Sequence, residues 1–353
     1  MEGKDIKMNK KRIGIIFGGC SPEHDVSLES SYSVITNIDK EKYDVILIGI
    51  TKSGDWFKYD GEAENIKNNT WEHNGKCTKV VISTNKSDKG IIELENNGNI
   101  ISLDAIFPVL HGSNGEDGTV QGLIQLSGIP LIGCDILSSS LCMDKHLSHK
   151  LVESYGIKVA KSIVINNKTD KSEINEKLKE LVYPLFVKPM RAGSSFGITK
   201  VENEEQIEGA IKEALKYDTD VIIEENVDGI EIGCAIFGND DLTVGEIDEI
   251  ELSEGFFNYT EKYTLKTSKI HVPARINNKI SDEAKETAKK IYKILKCKDF
   301  ARVDMFLTPN EEIYFNEINT IPGFTSHSRY PNMMKQIGIN FDQLVDKLIS
   351  LEI

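Results

Sequence analysis

"ARVDMFLTPNEEIYFNEINT", Ala301 to Thr320, reads as two strands folded back through a turn at Thr308 to Glu311. Glu317 and Asn319 are two apart, so they share one face of their strand. With a loop of this length, Asp304 comes within about one residue of facing Glu317 across the ladder. Opposed carboxylates repel, so the pair needs a cation. Two carboxylates and one amide oxygen suit Mg²⁺ bridging a polyphosphate. Arg302, on the same strand as Asp304, could steady developing charge. The plain alternative is a solvated edge hairpin, against which the apolar residues between the polar ones argue.

Upstream, "LFVKPMRAGSSFGITKV" (185–201) ends an apolar strand on Lys188 and turns through Gly193, Ser194, Ser195 and Gly197. A buried ammonium is costly without an anionic partner, and glycines let backbone amides approach phosphate oxygens. A β-turn with a snorkelling lysine is the other reading. "MDK" offers a second cation, Lys145, inside a helix expected over "SSLCMDKHLSHKLVES". "LHGSNGEDGTVQG" (110–122) puts His111 at a strand end before four glycines, where ligands bind in parallel sheets; a lone histidine is more often a satisfied structural one, and the glycines around it favour the functional reading. "GGCSPEHDVSLES" (18–30) is a strand–turn–helix with Glu23 beside exposed helix-end amides. That suits a small zwitterion, amides for its carboxylate and Glu23 for its ammonium. A helix-capping carboxylate is the alternative. No G-x-G-x-x-G or G-x-x-x-x-G-K-[ST] occurs.

The 353 residues suffice for two or three domains, and 39% hydrophobic with 28% charged residues is ordinary for a soluble globular protein. A net charge of −14 argues against nucleic-acid binding. No apolar run approaches the roughly 20 residues of a membrane span, and "MEGKDIKMNKKR" is followed by no signal-peptide core. The six cysteines show no C-x-x-C spacing, as expected of reduced cytoplasmic thiols packed as small hydrophobes. The order of strands and helices predicts an α/β (α+β) fold whose first domain carries a parallel sheet. The polar, Asn-rich stretch 60–99 reads as a connection with short strands. "FFNYTEKYTLKTSKIHVPARI" (256–276) is too polar and irregular for a core element and reads as a lid or a linker.

Taken together, eight segments in order resemble the D-alanine–D-alanine ligase family of the ATP-grasp superfamily. They are "GGCSPEHDVSLES", "LHGSNGEDGTVQG", "MDK", "FVKPMRAGSSFG", "EENVDGIE", "YTEKYTLKTSKIHVPA", "ARVDMF" and "NEINTIPGFTSHSRYP". They cover almost the whole chain. The resemblance implies an N-terminal Rossmann-like domain over 1–132 and ATP-grasp subdomains over 133–222 and 223–353, the last with the lid 256–276. It also implies a homodimer, ATP, and two Mg²⁺ ions, for which Mn²⁺ could substitute. Lys145 and Lys188 would hold ATP phosphates, Glu224 the adenine amino group and Glu231 the ribose, with Phe306 in the same site. Asp304, Glu317 and Asn319 would ligate the metals. Glu23 would take the ammonium of the first D-alanine, linked to Ser194 and Tyr263. His111 would lie by that substrate, Arg302 by the reacting carboxylate, and Lys262 on the transferred phosphoryl group. Gly323 and Ser328 would bind the second substrate.

"SHS" is followed by Arg329, where ordinary family members carry Leu or Met. An arginine there resembles the D-alanine–D-serine ligases of vancomycin resistance, most closely the VanG type. Its guanidinium is expected to donate to a seryl hydroxyl, directly or through water. Tyr263 argues against lactate as the acceptor and leaves D-alanine possible. The implied role is to make peptidoglycan precursors ending in D-Ala-D-Ser, with a housekeeping D-alanine–D-alanine ligase as the alternative. A non-catalytic sensor on the same fold would be free to lose a metal ligand; Asp304, Glu317 and Asn319 are all present.

Overall fold

Ile13, Ile15, Ile16 and Phe17 are all fully buried in β1 (Lys11–Gly18), as expected of a strand covered on both faces. The structure is a computed structural model that describes residues 10–252 and 268–353. β2 (Tyr43–Ile50) and β7 (Ala105–Pro108) flank β1 in parallel. Between them, β3 (Trp56–Tyr59), β4 (Cys77–Ile82), β5 (Gly90–Glu93) and β6 (Ile100–Ser102) continue the sheet antiparallel, in the order β6-β5-β4-β3-β2-β1-β7. The sheet is therefore parallel only at its β2-β1-β7 end. Tight turns join antiparallel neighbours, whereas parallel ones need long crossovers. The stretch 60–99 is thus part of the sheet itself.

β8 (Lys158–Val159) belongs to a later sheet. The second sheet holds β9 (Ser162–Asn166), β10 (Leu185–Pro189), β11 (Thr199–Val201) and β12 (Asp220–Glu225) in the antiparallel order β11-β10-β12-β9. Helices Lys171–Leu178 and Ile207–Ala214 share its core. A boundary between 222 and 223 would cut β12; we place the division after Glu225.

The third sheet is built from β13 (Ile230–Phe237), β14 (Thr243–Val244), β15 (Asp248–Leu252), β16 (Ser268–His271), β17 (Phe300–Leu307) and β18 (Ile313–Asn319). Its order is β16-β15-β13-β17-β18-β8, with β14 beside β13. The β17–β18 hairpin is interior to this sheet, which excludes the solvated edge. Helix Asn278–Ile294 packs Ile280, Ala284, Ala288 and Ile291 against it at helical spacing. Most of the expected lid lies outside the described residues, Lys262 and Tyr263 included. Ser268–His271 is strand rather than irregular loop, because it pairs with β15 from Glu249↔His271 to Leu252↔Ser268.

Two helices stand where one was expected, Ile136–Met143 and Lys145–Ser154. Asp144 is extended between them and accepts the Leu147 N–H at 2.9 Å, capping the second helix. Lys145 is therefore a first-turn residue.

One core joins the first sheet to the C-terminal helices: Phe107, Phe300, Phe324 and Tyr330 pack ring on ring at centroid distances of 5.7–6.0 Å. This fixes the chain between β18 and helix Arg329–Gln336 against the N-terminal domain. All six cysteines are free thiols; Cys134, Cys142 and Cys234 are buried as expected, but Cys20 is exposed. No helix among the described residues is long and apolar enough to cross a membrane.

Candidate active site

Between the second and third sheets lies a cavity of about 360 Å³, lined among others by Lys145, Lys188, Glu224, Glu231, Phe306 and Glu317. Strands β10 and β12 set Lys188 beside Glu224, and Lys188 Nζ donates to Glu224 Oε2 at 2.6 Å. Burial pushes the Glu224 carboxyl up. The charges of Lys188 and His149, with the Lys188 hydrogen bond, outweigh that and hold it below the usual carboxylate range. Lys145 Nζ donates to Ala192 O at 2.9 Å, so both cations point at the same mouth as the glycine turn. His149 escaped the sequence reading; its Nε2 bonds Asn316 O at 2.7 Å and its Nδ1 lies 3.5 Å from Glu224 Oε1.

Asp304 pairs directly with Glu317 across the hairpin, and Arg302 with Asn319. The bulge after Asp304 shifts only the pairs beyond it. The Asp304 carboxylate is buried and crowded with donors. Arg302 Nε reaches Oδ1 at 2.8 Å, Arg302 Nη2 reaches Oδ2 at 2.7 Å, and Asn319 Nδ2 donates to Oδ2 at 2.9 Å. Arg329 adds a second guanidinium, its Nη1 being 3.3 Å from Asp304 Oδ1. Among the described residues no group of three or more His, Cys, Asp and Glu side chains is arranged to hold a metal ion. The donor set here is two carboxylates and an amide. Hard oxygens of this kind suit a divalent cation such as Mg²⁺, whose binding would have to replace the Arg302, Arg329 and Asn319 N–H groups that now occupy Asp304.

Arg329 departs from expectation. It is buried, and Asp248, a wholly buried residue at the start of β15, accepts from both Nε (2.7 Å) and Nη2 (2.8 Å). Glu231 accepts from Nη1 at 2.9 Å. Three of the five N–H groups are thus hydrogen-bonded to carboxylates of this chain, and Nη1 also faces Asp304. Asp248 was missed in the sequence, although the three acids of "EIDEI" are more than a strand core would carry without partners.

A third cluster lies where the first sheet meets the glycine turn. Glu23 stands at the N-terminus of helix His24–Asn37, yet its side chain makes no cap bond to the helix. Ser194 Oγ donates to it instead. Two glycines make its burial possible: a Cβ on Gly112 or Gly193 would come within 2.4 Å of Glu23 Oε2. Ser194 and Ser195 take left-handed backbone, φ 48° and 60°, which is strain held at a site rather than an ordinary turn. His111 is buried with both nitrogens engaged, Nδ1 to Ile321 O at 3.0 Å and Nε2 to Ser30 Oγ at 3.1 Å. Burial lowers its pKa to about 4, so it is neutral at physiological pH. Glu116, also unforeseen, accepts from Gly112 N at 2.8 Å and Ile321 N at 3.2 Å. Burial and the adjacent Glu23 charge push its carboxyl up to about 8. A cheap signal existed, since "GEDG" sets two acids among glycines. Gly323 and Ser328 meet in the loop after β18, where Ser328 Oγ accepts from Thr325 N at 3.0 Å.

Residues 12–134 match the family model described as the D-ala D-ala ligase N-terminus, and residues 151–350 match the D-ala D-ala ligase C-terminus. A D-alanine–D-alanine ligase of Caldicellulosiruptor bescii is 44% identical over 352 residues, 98% of this chain and 96% of that one. The vancomycin/teicoplanin A-type resistance protein VanA of Enterococcus faecium is 45% identical over 350 residues, 98% of this chain and 99% of that one. The crystal structure of the VanG D-Ala:D-Ser ligase from Enterococcus faecalis superposes with a TM-score of 0.91 at 55% identity, covering 98% of this chain and 100% of that one. With both halves matched in order and the cavity between its last two sheets, the chain belongs to the D-alanine–D-alanine ligase family, ATP-dependent ligases of the ATP-grasp fold.

Proposed function

We propose that the protein joins D-alanine to D-serine at the expense of ATP, through a D-alanyl phosphate. The observation that carries the choice of acceptor is Arg329, locked on Asp248 directly after Ser328. Clamped by Asp248 and flanked by Glu231 and Asp304, the guanidinium cannot swing away. The one Nη2 N–H that faces no carboxylate among the described residues would therefore be a fixed donor for a hydroxyl, directly or through water. A hydrogen bond to a charged group is worth roughly 1.5–3 kcal/mol, enough for about 10- to 150-fold discrimination. An apolar pocket would gain nothing from the hydroxyl. The likeness to the VanG ligase supports the same reading. The named activity of the Caldicellulosiruptor relative supports the alternative, D-alanine as acceptor.

In the reaction, the D-alanine carboxylate attacks the γ-phosphorus and ADP leaves. The acceptor amine then attacks the acyl carbon and phosphate leaves. Lys145 and Lys188 would hold the nucleotide phosphates, Glu224 the adenine amino group and Glu231 the ribose, beside Phe306. Glu23 and Ser194 would hold the donor ammonium. Asp304, Glu317 and Asn319 would hold Mg²⁺, which supplies charge neutralisation on the phosphates. Arg302 would face the carboxylate as it reacts.

Mass spectrometry of dipeptides formed from equal D-alanine and D-serine, with ATP and Mg²⁺, tests the proposal. D-Ala-D-Ser should dominate, and Arg329→Met should raise the ratio of D-Ala-D-Ala to D-Ala-D-Ser at least about tenfold. A wild type that makes mainly D-Ala-D-Ala would overturn the serine assignment.

A further inference from the structure

The chain that leaves β18 toward Ser328 is tied to the N-terminal domain at three backbone groups within four residues. His111 Nδ1 bonds Ile321 O at 3.0 Å, Glu116 Oε1 accepts from Ile321 N at 3.2 Å, and Ser30 Oγ accepts from Phe324 N at 3.3 Å. Both backbone groups of Ile321 are thereby gripped by side chains from one short loop. That loop is itself closed by Glu116, whose Oε2 accepts from Gly112 N at 2.8 Å. Ile321 and Phe324 are buried, so neither amide has water as a substitute partner. Between the two tied residues sit only Pro322 and Gly323, and a Cβ on Gly323 would lie 3.0 Å from Ser328 Oγ. The ties therefore set where Gly323 and Ser328 stand.

We infer that Glu116 is a positioning residue for the acceptor amino acid. It acts through the Ile321 amide on the Gly323–Ser328 wall, and together with His111 it fastens this wall to the Gly112 loop. The inference rests on the reading of that wall as the acceptor pocket. Glu116 uses both oxygens on backbone N–H groups of different segments, and each oxygen keeps a lone pair for its N–H whether the carboxyl is ionised or protonated. Glutamine keeps one acceptor and turns an NH₂ toward the other N–H, so one tie is replaced by a repulsion.

Steady-state kinetics on Glu116→Gln, varying one substrate at a time, separates the possibilities. The acceptor KM should rise about tenfold or more while the ATP KM stays within about twofold, since one lost buried hydrogen bond is worth ~1–3 kcal/mol. A rise confined to the donor KM would assign Glu116 to Glu23 and overturn the proposal. Equal rises in every KM with a lowered Tm would reduce it to a fold contact, with the same result. Should Glu116→Gln not fold, Ser30→Ala, which removes the partner of Phe324 N, is expected to show the same acceptor-specific rise; an unchanged acceptor KM there overturns the inference. A wild type that makes no dipeptide would instead defeat the proposed function, which is a separate outcome.

Discussion

A buried carboxylate such as Asp248 is tolerable only with a well-aligned cation beside it, and Arg329 meets it with two N–H bonds. The sequence marked Arg329 as unusual by its place after "SHS", but its partners come from 81 and 98 residues away. No spacing rule reaches that far. The same distance hid Asp248 and the Glu116 bond to Ile321, whereas Glu317 and Asn319 were legible because a strand's period is local. The buried cage makes a stability prediction separate from specificity. Arg329→Met strands Asp248, and breaking a buried pair from one side costs about 3–5 kcal/mol. Arg329→Met with Asp248→Leu removes both charges and should recover most of that loss in denaturant titrations. A double variant no more stable than the single one would show that Asp248 is not the group left unpaired.

Among elements, strands such as β1, β2 and β12 were readable because each is a short apolar run bounded by turn residues. Helix Arg329–Gln336 was not, since Pro331 suggests a break. In a first turn the missing N–H has no intrahelical partner to lose, so proline is accepted there. The break at Asp144 went unseen for the opposite reason: "SSLCMDKHLSHKLVES" keeps helical periodicity across it, and only the cap reveals two helices. Asp144 also pairs with Arg191 of the glycine turn, Nη1 to Oδ2 at 3.1 Å. It therefore sets the start of the helix that carries Lys145 and ties it to the segment carrying Ser194. Asp144→Ala should cost about 1 kcal/mol as a lost cap and raise the ATP KM several-fold through displacement of Lys145. Asp144→Asn, which keeps the cap oxygen but not the charge, should restore most of the stability. If Ala and Asn variants melt together, the cap is not what holds the break.

For the whole molecule, the antiparallel extension β3–β6 is the part whose pH response can be read from one side chain. Glu93, at the end of β5, is buried and accepts from Lys58 at 2.7 Å, from Asn96 Nδ2 at 3.0 Å and from Asn99 Nδ2 at 2.9 Å. It binds β3 to the turn between β5 and β6, where Asn97 and Gly98 take the positive φ values, 53° and 71°, that a tight hairpin needs. The hydrogen bonds from Lys58, Asn99 and Asn96 outweigh desolvation and bring the Glu93 carboxyl down to about 2 from 4.5. A carboxyl lowered on folding stabilises the native state above its unfolded pKa. That contribution is lost as the pH falls from about 4.5 toward 2. The extension should therefore loosen in acid before the β2-β1-β7 end, whose core is apolar. Amide hydrogen-exchange protection across residues 77–102 measures this locally, without requiring the chain to unfold in one step. Relative to wild type at pH 7, Glu93→Gln should lower the opening free energy there by ~2 kcal/mol, the scale of a hydrogen bond to a charged group. Near pH 2.5 most of that gap should have closed, because the carboxyl is then protonated in the opened state and has begun to protonate in the folded one. A gap between them that stays constant from pH 7 to pH 2.5 would mean that Glu93 acts through packing and not through its charge.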